Sequence, residues 1–287
     1  MKIVVLSTDT EHYLLQWWLP HHASKFDFGV ILDFNYEEGT ADNTYELYTK
    51  HVPHWRYLKI KQQKVSTFLW DVVVERVERD LLKEFPKAWI TTLNPTEFLI
   101  GNLKCLDNIK NQTQVLMPCY VMVDLIENEN KELDTKIPIL NQRHHGVDYR
   151  IDLPDPLKSG KTMQLYKQQN PNDQENKNAV VNLRWMRSIH NYEVNYLETS
   201  IYSVGRHYWD VDKMTDKLAI CHMNFSPYND AFISRKMNVQ RRLTDSDIKS
   251  DRGYHHRVDK EKILERKRFY DQLTVDLSQE INRLESL

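Results

Sequence analysis

Residues Trp89 to Leu99 read WITTLNPTEFL. Trp89 to Leu93 is a short apolar and β-branched run, the pattern of a buried strand, and it stops at the polar tetrapeptide Asn94-Pro95-Thr96-Glu97 before Phe98-Leu99. Just upstream, Ser66 or Thr67 can cap a helix that runs to about Glu84, with Trp70, Val73, Val77 and Leu81 at spacings of three and four. Pro86 stops that helix. A helix that feeds a strand with a polar carboxyl end is the repeating unit of a parallel sheet.

Working outward, the same unit recurs. Ile3 to Leu6 reads as a first strand ending in Ser7-Thr8-Asp9, and His12 to His22 follows as a helix that Pro20 helps to end. Phe28 to Phe34 is a second strand that closes on Asp33 and Asn35, Ala41 to Lys50 a helix, and Arg56 to Ile60 a third strand. The pattern predicts an α/β fold with helices on both faces of a sheet. Ligands of such sheets bind beyond the strands' carboxyl ends, where Ser7, Asp33 and Asn94 lie.

Further along, Val115 to Val123 (VLMPCYVMV) reads as one strand ending at Asp124. From Glu127 to Asn178 the pattern dissolves, and Asn170 to Asn178 offers nothing for a core. Short strands are expected around Val180 to Met186 and Leu218 to His222, and helices over Tyr228 to Arg241 and Lys260 to Leu284. The last helix places Leu273, Leu277, Ile281 and Leu284 on one stripe, which suits packing on its own domain or a homo-oligomer contact.

Bulk properties exclude several classes. A chain of 287 residues with 40% hydrophobic and 28% charged side chains can bury a large core. The formal charge of −2 gives no electrostatic reason to bind nucleic acid. Three scattered cysteines, Cys105, Cys119 and Cys221, suggest reduced thiols rather than a disulfide framework. The apolar run at the N-terminus is too short for a signal peptide, and no stretch has the length of a membrane span, so a cytoplasmic location is expected. Seven glycines, none in a phosphate-loop context, argue against dinucleotide-dependent dehydrogenases and P-loop enzymes.

Four segments in order carry a resemblance. Asn94-Pro95-Thr96-Glu97-Phe98 resembles the Asp-X-Asp-Glu-Phe strand end of glycosyltransferases of the GT-A type, with Glu97 and Phe98 matching and Asn94 and Thr96 standing where the aspartates would be. Thr10 to Trp18 with His21-His22 looks like the opening motif of the glycosyltransferase family 2 and family 92 group. Phe28 to Asp33 with Asn35 and Gly39-Thr40, and then Leu218 to Lys236, resemble that group's next and closing motifs. The resemblance implies a GT-A-like mixed sheet in a single large domain. Residues 1–124 would be the nucleotide-sugar-binding half, 125–257 the acceptor-binding half and 258–287 a C-terminal helix. It also implies transfer of a sugar from a nucleotide-diphosphate donor to a hydroxyl of a glycan, with inversion. The alternative is a non-catalytic nucleotide-sugar- or glycan-binding relative.

On that resemblance Ser7, Thr8, Glu11, Asp33, Asn35, Asn94, Thr96, Arg235 and Lys236 would bind the donor. Asp33 would receive the base; its other reading is a turn aspartate bonded to local backbone. Arg184 and Arg187 are further candidates to neutralise diphosphate charge. Glu97, His190 and His222 would hold a divalent cation, manganese or magnesium. Asn94 and Thr96 are weaker neutral ligands than aspartate, so metal binding should be weak or replaced by basic groups. A histidine in an apolar strand is otherwise a core residue. Asp124 and Asp148 are candidates for the general base, with solvated aspartates as the other reading. The pairs His21-His22, His144-His145 and His255-His256 show no ligand spacing and are expected at the surface.

Overall fold

The structure, a computed structural model, describes residues 1–8, 12–34, 43–60, 68–111, 113–148, 187–192, 202–203, 207–208, 215–239, 244–249 and 258–287. In chain order the elements are β1 (Lys2–Thr8), α1 (His12–Ala23), β2 (Phe28–Asp33), α2 (Thr44–His51), β3 (Arg56–Lys59), α3 (Phe68–Glu84), β4 (Trp89–Leu93), β5 (Glu97–Gly101), β6 (Gln114–Met117), β7 (Cys119–Val123), α4 (Ile139–Gln142) and β8 (His145–Val147). They continue as β9 (Arg187–His190), β10 (Tyr202–Ser203), β11 (His207–Tyr208), β12 (Leu218–Phe225), α5 (Asp230–Val239), α6 (Asp245–Lys249), α7 (Lys260–Asp271), β13 (Val275–Asp276) and α8 (Ser278–Ser286).

The first sheet has the order β3-β2-β1-β4-β9-β6. Its first four strands are parallel, while β9 runs antiparallel to both β4 and β6. Strand alternation explains the layers on its two faces. Ile3, Val5, Val30, Leu32 and Ile90 pack with Val74 and Leu81 of α3. Val4, Leu6, Ile31 and Leu93 join the cluster that contains Leu14, Leu15, Trp18 and Leu19 of α1. Gly29 is required because a Cβ there would stand 2.3 Å from the Trp55 ring. The chain steps from β1 to β2 and β3 on one side, then crosses back to β4 on the other. The strand order therefore reverses between β1 and β4, and open α/β sheets bind ligands at the carboxyl ends of the strands flanking such a reversal.

The second sheet has the order β13-β8-β7-β12-β5, with β7 and β12 parallel and the other pairs antiparallel. One buried cluster runs from β1 and α1 through β5, β7 and β12 to α8, so the two mixed sheets share a core. Among the described residues no helix is long and apolar enough to cross a membrane.

Several expectations are corrected. The run from Val115 to Val123 is two strands, because Pro118 lacks an N–H for the ladder and the chain changes sheets there. Phe98 to Ile100 belongs to β5, a buried strand that the sequence reading did not assign. Helix α1 runs through Pro20 to Ala23; its last turn is anchored to β5 by His21 Nε2 on Leu99 O at 2.7 Å and by Leu99 N donating to His22 Nε2 at 3.1 Å. His22 is fully buried rather than a surface residue. The segment expected as one C-terminal helix is α7, β13 and α8. β-Branched Thr274 and Val275 favour the extended break, and Asp276 Oδ1 accepts the Ser278 N–H at 2.8 Å to start α8. The leucine stripe divides accordingly: Leu277, Ile281 and Leu284 enter the main core and Leu273 packs on another cluster, so the stripe packs on its own chain. Asn170 to Asn178, Val180 to Met186 and His255-His256 lie outside the described residues.

Candidate functional site

The register of the parallel strands lines up their carboxyl ends. Asp33 pairs with Lys59 on one side and Thr8 on the other, and Leu6 pairs with Leu93, so Ser7 and Asn94 follow at the carboxyl ends of β1 and β4. Thr8 and Asp33 are each 1% exposed. Their backbones are tied, with Phe34 N donating to Thr8 O at 2.9 Å and Ile60 N to Asp33 O at 2.8 Å. The Thr8 hydroxyl has no hydrogen-bond partner among the described residues. Tyr57 donates its hydroxyl to Asp33 Oδ2. The Tyr57 ring lies 5.1 Å from Tyr48 and 5.2 Å from Tyr45, and Tyr45 is 59% exposed, so an aromatic surface borders the carboxylate. Glu11 and Asn35, expected beside this row, lie outside the described residues.

The turn between β4 and β5 forms a second, buried polar corner. Asn94 N donates to Glu97 Oε2 at 2.8 Å, and Glu97 N donates to Asn94 O at 2.9 Å. Thr96 is buried, and its carbonyl accepts Met223 N at 2.7 Å from β12. Arg187, the first residue of β9, donates Nε to Glu97 Oε1 at 2.7 Å and a second N–H to the same oxygen. Both side chains are under 5% exposed. Each Glu97 oxygen therefore already accepts an N–H, and the positive group at the motif is a guanidinium.

His222 pairs with Glu97 across β12 and β5. Burial, followed by the charges of Lys236, Arg187 and Arg235, holds its imidazole well below the usual range. Lys236 on α5 donates to Asn224 Oδ1 at 2.8 Å and lies over the Phe232 ring. Glu97 is thus paired with Arg187 of β9, while the charges of Arg235 and Lys236 on α5 act on its cross-strand neighbour His222.

His190 is not part of this corner. On β9, Arg187 and Ile189 face the main core, while Ser188 and His190 face the other side of the sheet. His190 Nε2 lies 3.9 Å from Glu78 on α3, and burial depresses its pKa to about 4. The set Glu97, His190 and His222 does not converge. The one group of histidines and acids among the described residues with metal-ligand proximity is His144, His145 and Asp276.

The two carboxylates considered as general bases differ. Asp124 is 2% exposed, and accepts Ser226 Oγ at 2.5 Å and Tyr228 N at 2.9 Å. Arg143 Nε stands 3.1 Å from it, an ion pair without hydrogen-bond alignment. Burial outweighs these partners and raises its pKa. Asp124 therefore anchors the corner after β12. Asp148 follows β8 on the second sheet and is partly buried.

Sequence reasoning missed Tyr57 as the partner of Asp33 and Arg143 as that of Asp124. An aromatic in the middle of β3 gave no signal, because most tyrosines in strands are packing residues. No protein-family model matches this chain, and no curated protein matches it significantly.

Proposed function

We propose that this chain is a nucleotide-sugar-dependent glycosyltransferase of GT-A-like architecture, acting on a glycan hydroxyl. The observation that carries the reading is the polar row Asp33, Thr8 and Asn94 at the point where the parallel strand order reverses. In this reading the nucleoside lies along the row. Asp33 accepts a hydrogen bond from the base, the Thr8 hydroxyl meets the nucleoside, and Tyr45 offers a ring face for stacking.

The diphosphate is then met by the basic residues Arg235 and Lys236, while Arg187 holds the β4–β5 turn through Glu97. A carboxylate that already accepts two charged N–H groups and a backbone N–H is a poor ligand for manganese or magnesium. The reading therefore assigns a metal-independent donor site. Inverting transfer needs a base for the acceptor hydroxyl, and Asp148 is retained in that role because Asp124 is committed to Ser226, Tyr228 and Arg143.

The commitment of Asp124 also favours a second reading, a binding protein without turnover. Hydrolysis of a panel of nucleotide sugars in a chelator separates the two. Released nucleoside diphosphate that falls in Asp148→Asn supports transfer, whereas binding without release supports the second reading. Absence of both binding and release rejects the family assignment.

A further inference from the structure

At the edge of the second sheet opposite to β5, two imidazoles and a carboxylate converge. His144 immediately precedes β8, His145 is its first residue, and Asp276 of β13 is the cross-strand partner of His145. One ligand atom from each of the three lies within 4.8 Å of the others. His144 Nε2 stands 3.8 Å from Asp276 Oδ1, and the two imidazole rings are 4.7 Å apart. Neighbouring residues within a strand point to opposite faces. His144 lies just before the ladder begins, which lets its ring stand beside that of His145.

The backbone beneath these side chains is pinned on every side. Leu277 N donates to His144 O at 2.9 Å, and Asp276 Oδ1 accepts Ser278 N at 2.8 Å. Gly146 packs so closely that a Cβ would stand 2.7 Å from Val121 O. Coordination would require the three side chains to turn toward one another on this backbone. Ligands in a tetrahedral zinc site stand roughly 3.3 Å apart, so these side chains need to close by up to about 1.5 Å from their 4.8 Å spacing.

We propose that His144, His145 and Asp276 form a binding site for a divalent transition-metal ion of the zinc class. Two nitrogen donors and one carboxylate favour a borderline cation over magnesium or calcium, which prefer oxygen ligands throughout. The three side chains leave a further coordination position for water. The ion would staple the two-residue strand β13, and with it the start of α8, to β8. The site is separate from the glycosyl-transfer reading and stands or falls without it.

The test is calorimetric titration of the full-length protein with zinc chloride at neutral pH, with melting temperature followed in parallel. The expected result is a saturable site that raises the melting temperature, since an ion that binds only the folded state stabilises it. His145→Ala and Asp276→Asn should each weaken zinc affinity by about tenfold or more. A variant replacing both His255 and His256 by alanine should retain the site. An asparagine Oδ1 can still accept the Ser278 N–H, so Asp276→Asn decides the question if His145→Ala does not fold. No saturable zinc binding, or binding unchanged in Asp276→Asn, would overturn the proposal.

Discussion

Glu97 is the residue on which the buried corner turns, because its carboxylate accepts N–H groups from Asn94 and Arg187 at under 5% exposure. Removing the charge leaves a buried guanidinium without its counter-ion. Glu97→Gln should therefore destabilise the fold by about 3–5 kcal/mol, the usual range for breaking a buried pair from one side. Urea denaturation measures this directly; a loss below about 1 kcal/mol would show that the pair is solvated. Asp33 belongs to a different class. Its Oδ2 bond to Tyr57 fixes the carboxylate at the carboxyl end of β2, so Asp33→Ala should weaken nucleoside diphosphate binding by roughly 1.5–3 kcal/mol. Tyr57→Phe should weaken it less, because the carboxylate remains and only its orientation is released.

At the scale of elements, α1, β9 and β12 each bury neutral imidazole. Burial lowers the pKa of His21 to about 4 and that of His190 to about 4, and holds His22 and His222 well below the usual range. The unfolded chain binds protons near pH 6.5 at these residues, while the folded chain binds them only at lower pH. Their contribution to stability is thus complete above about pH 6.5 and is lost as pH falls toward 4. Asp124, with its raised pKa, contributes in the opposite direction. With the histidines more numerous, the melting temperature should fall steadily between pH 6.5 and pH 4. In His190→Gln the fall should be shallower, and an unchanged slope would remove that residue from the account. The same elements show what the sequence carries. Strands β1, β2 and β4 were legible because each is a short, largely apolar or β-branched run closed by a polar residue, and the register then fixes Thr8, Asp33 and Asn94 at one edge. The change of sheet at Pro118 was not legible, since VLMPCYVMV has one hydrophobic character throughout. Nor was the side of the sheet occupied by His190: period two sets it opposite to Arg187 but cannot say which faces α3. The Glu97–Arg187 pair joins residues 90 positions apart, a separation at which no local pattern predicts contact.

For the whole molecule, α8 closes on the first half of the chain. Lys25 bridges Glu285 at 2.7 Å, Tyr120 donates to Glu280 at 2.9 Å, and Ile281 and Leu284 are buried beside β5. Deleting residues 278–287 should expose that face and lower the melting temperature by far more than any surface substitution. A small change would show that α8 adds little to the shared core. In the glycosyltransferase proposed above, a nucleotide donor would be met at the carboxyl ends of β1 and β4 by side chains rather than by a carboxylate-bound cation. The measurement that tests it most directly is calorimetric titration with uridine and guanosine diphosphates and their sugar conjugates, in a chelator and again with manganese. The account predicts saturable binding in the chelator, little change with manganese, and a loss in Asp33→Ala of the size given above. Binding that requires manganese, or no binding of any nucleotide by the folded protein, would contradict it.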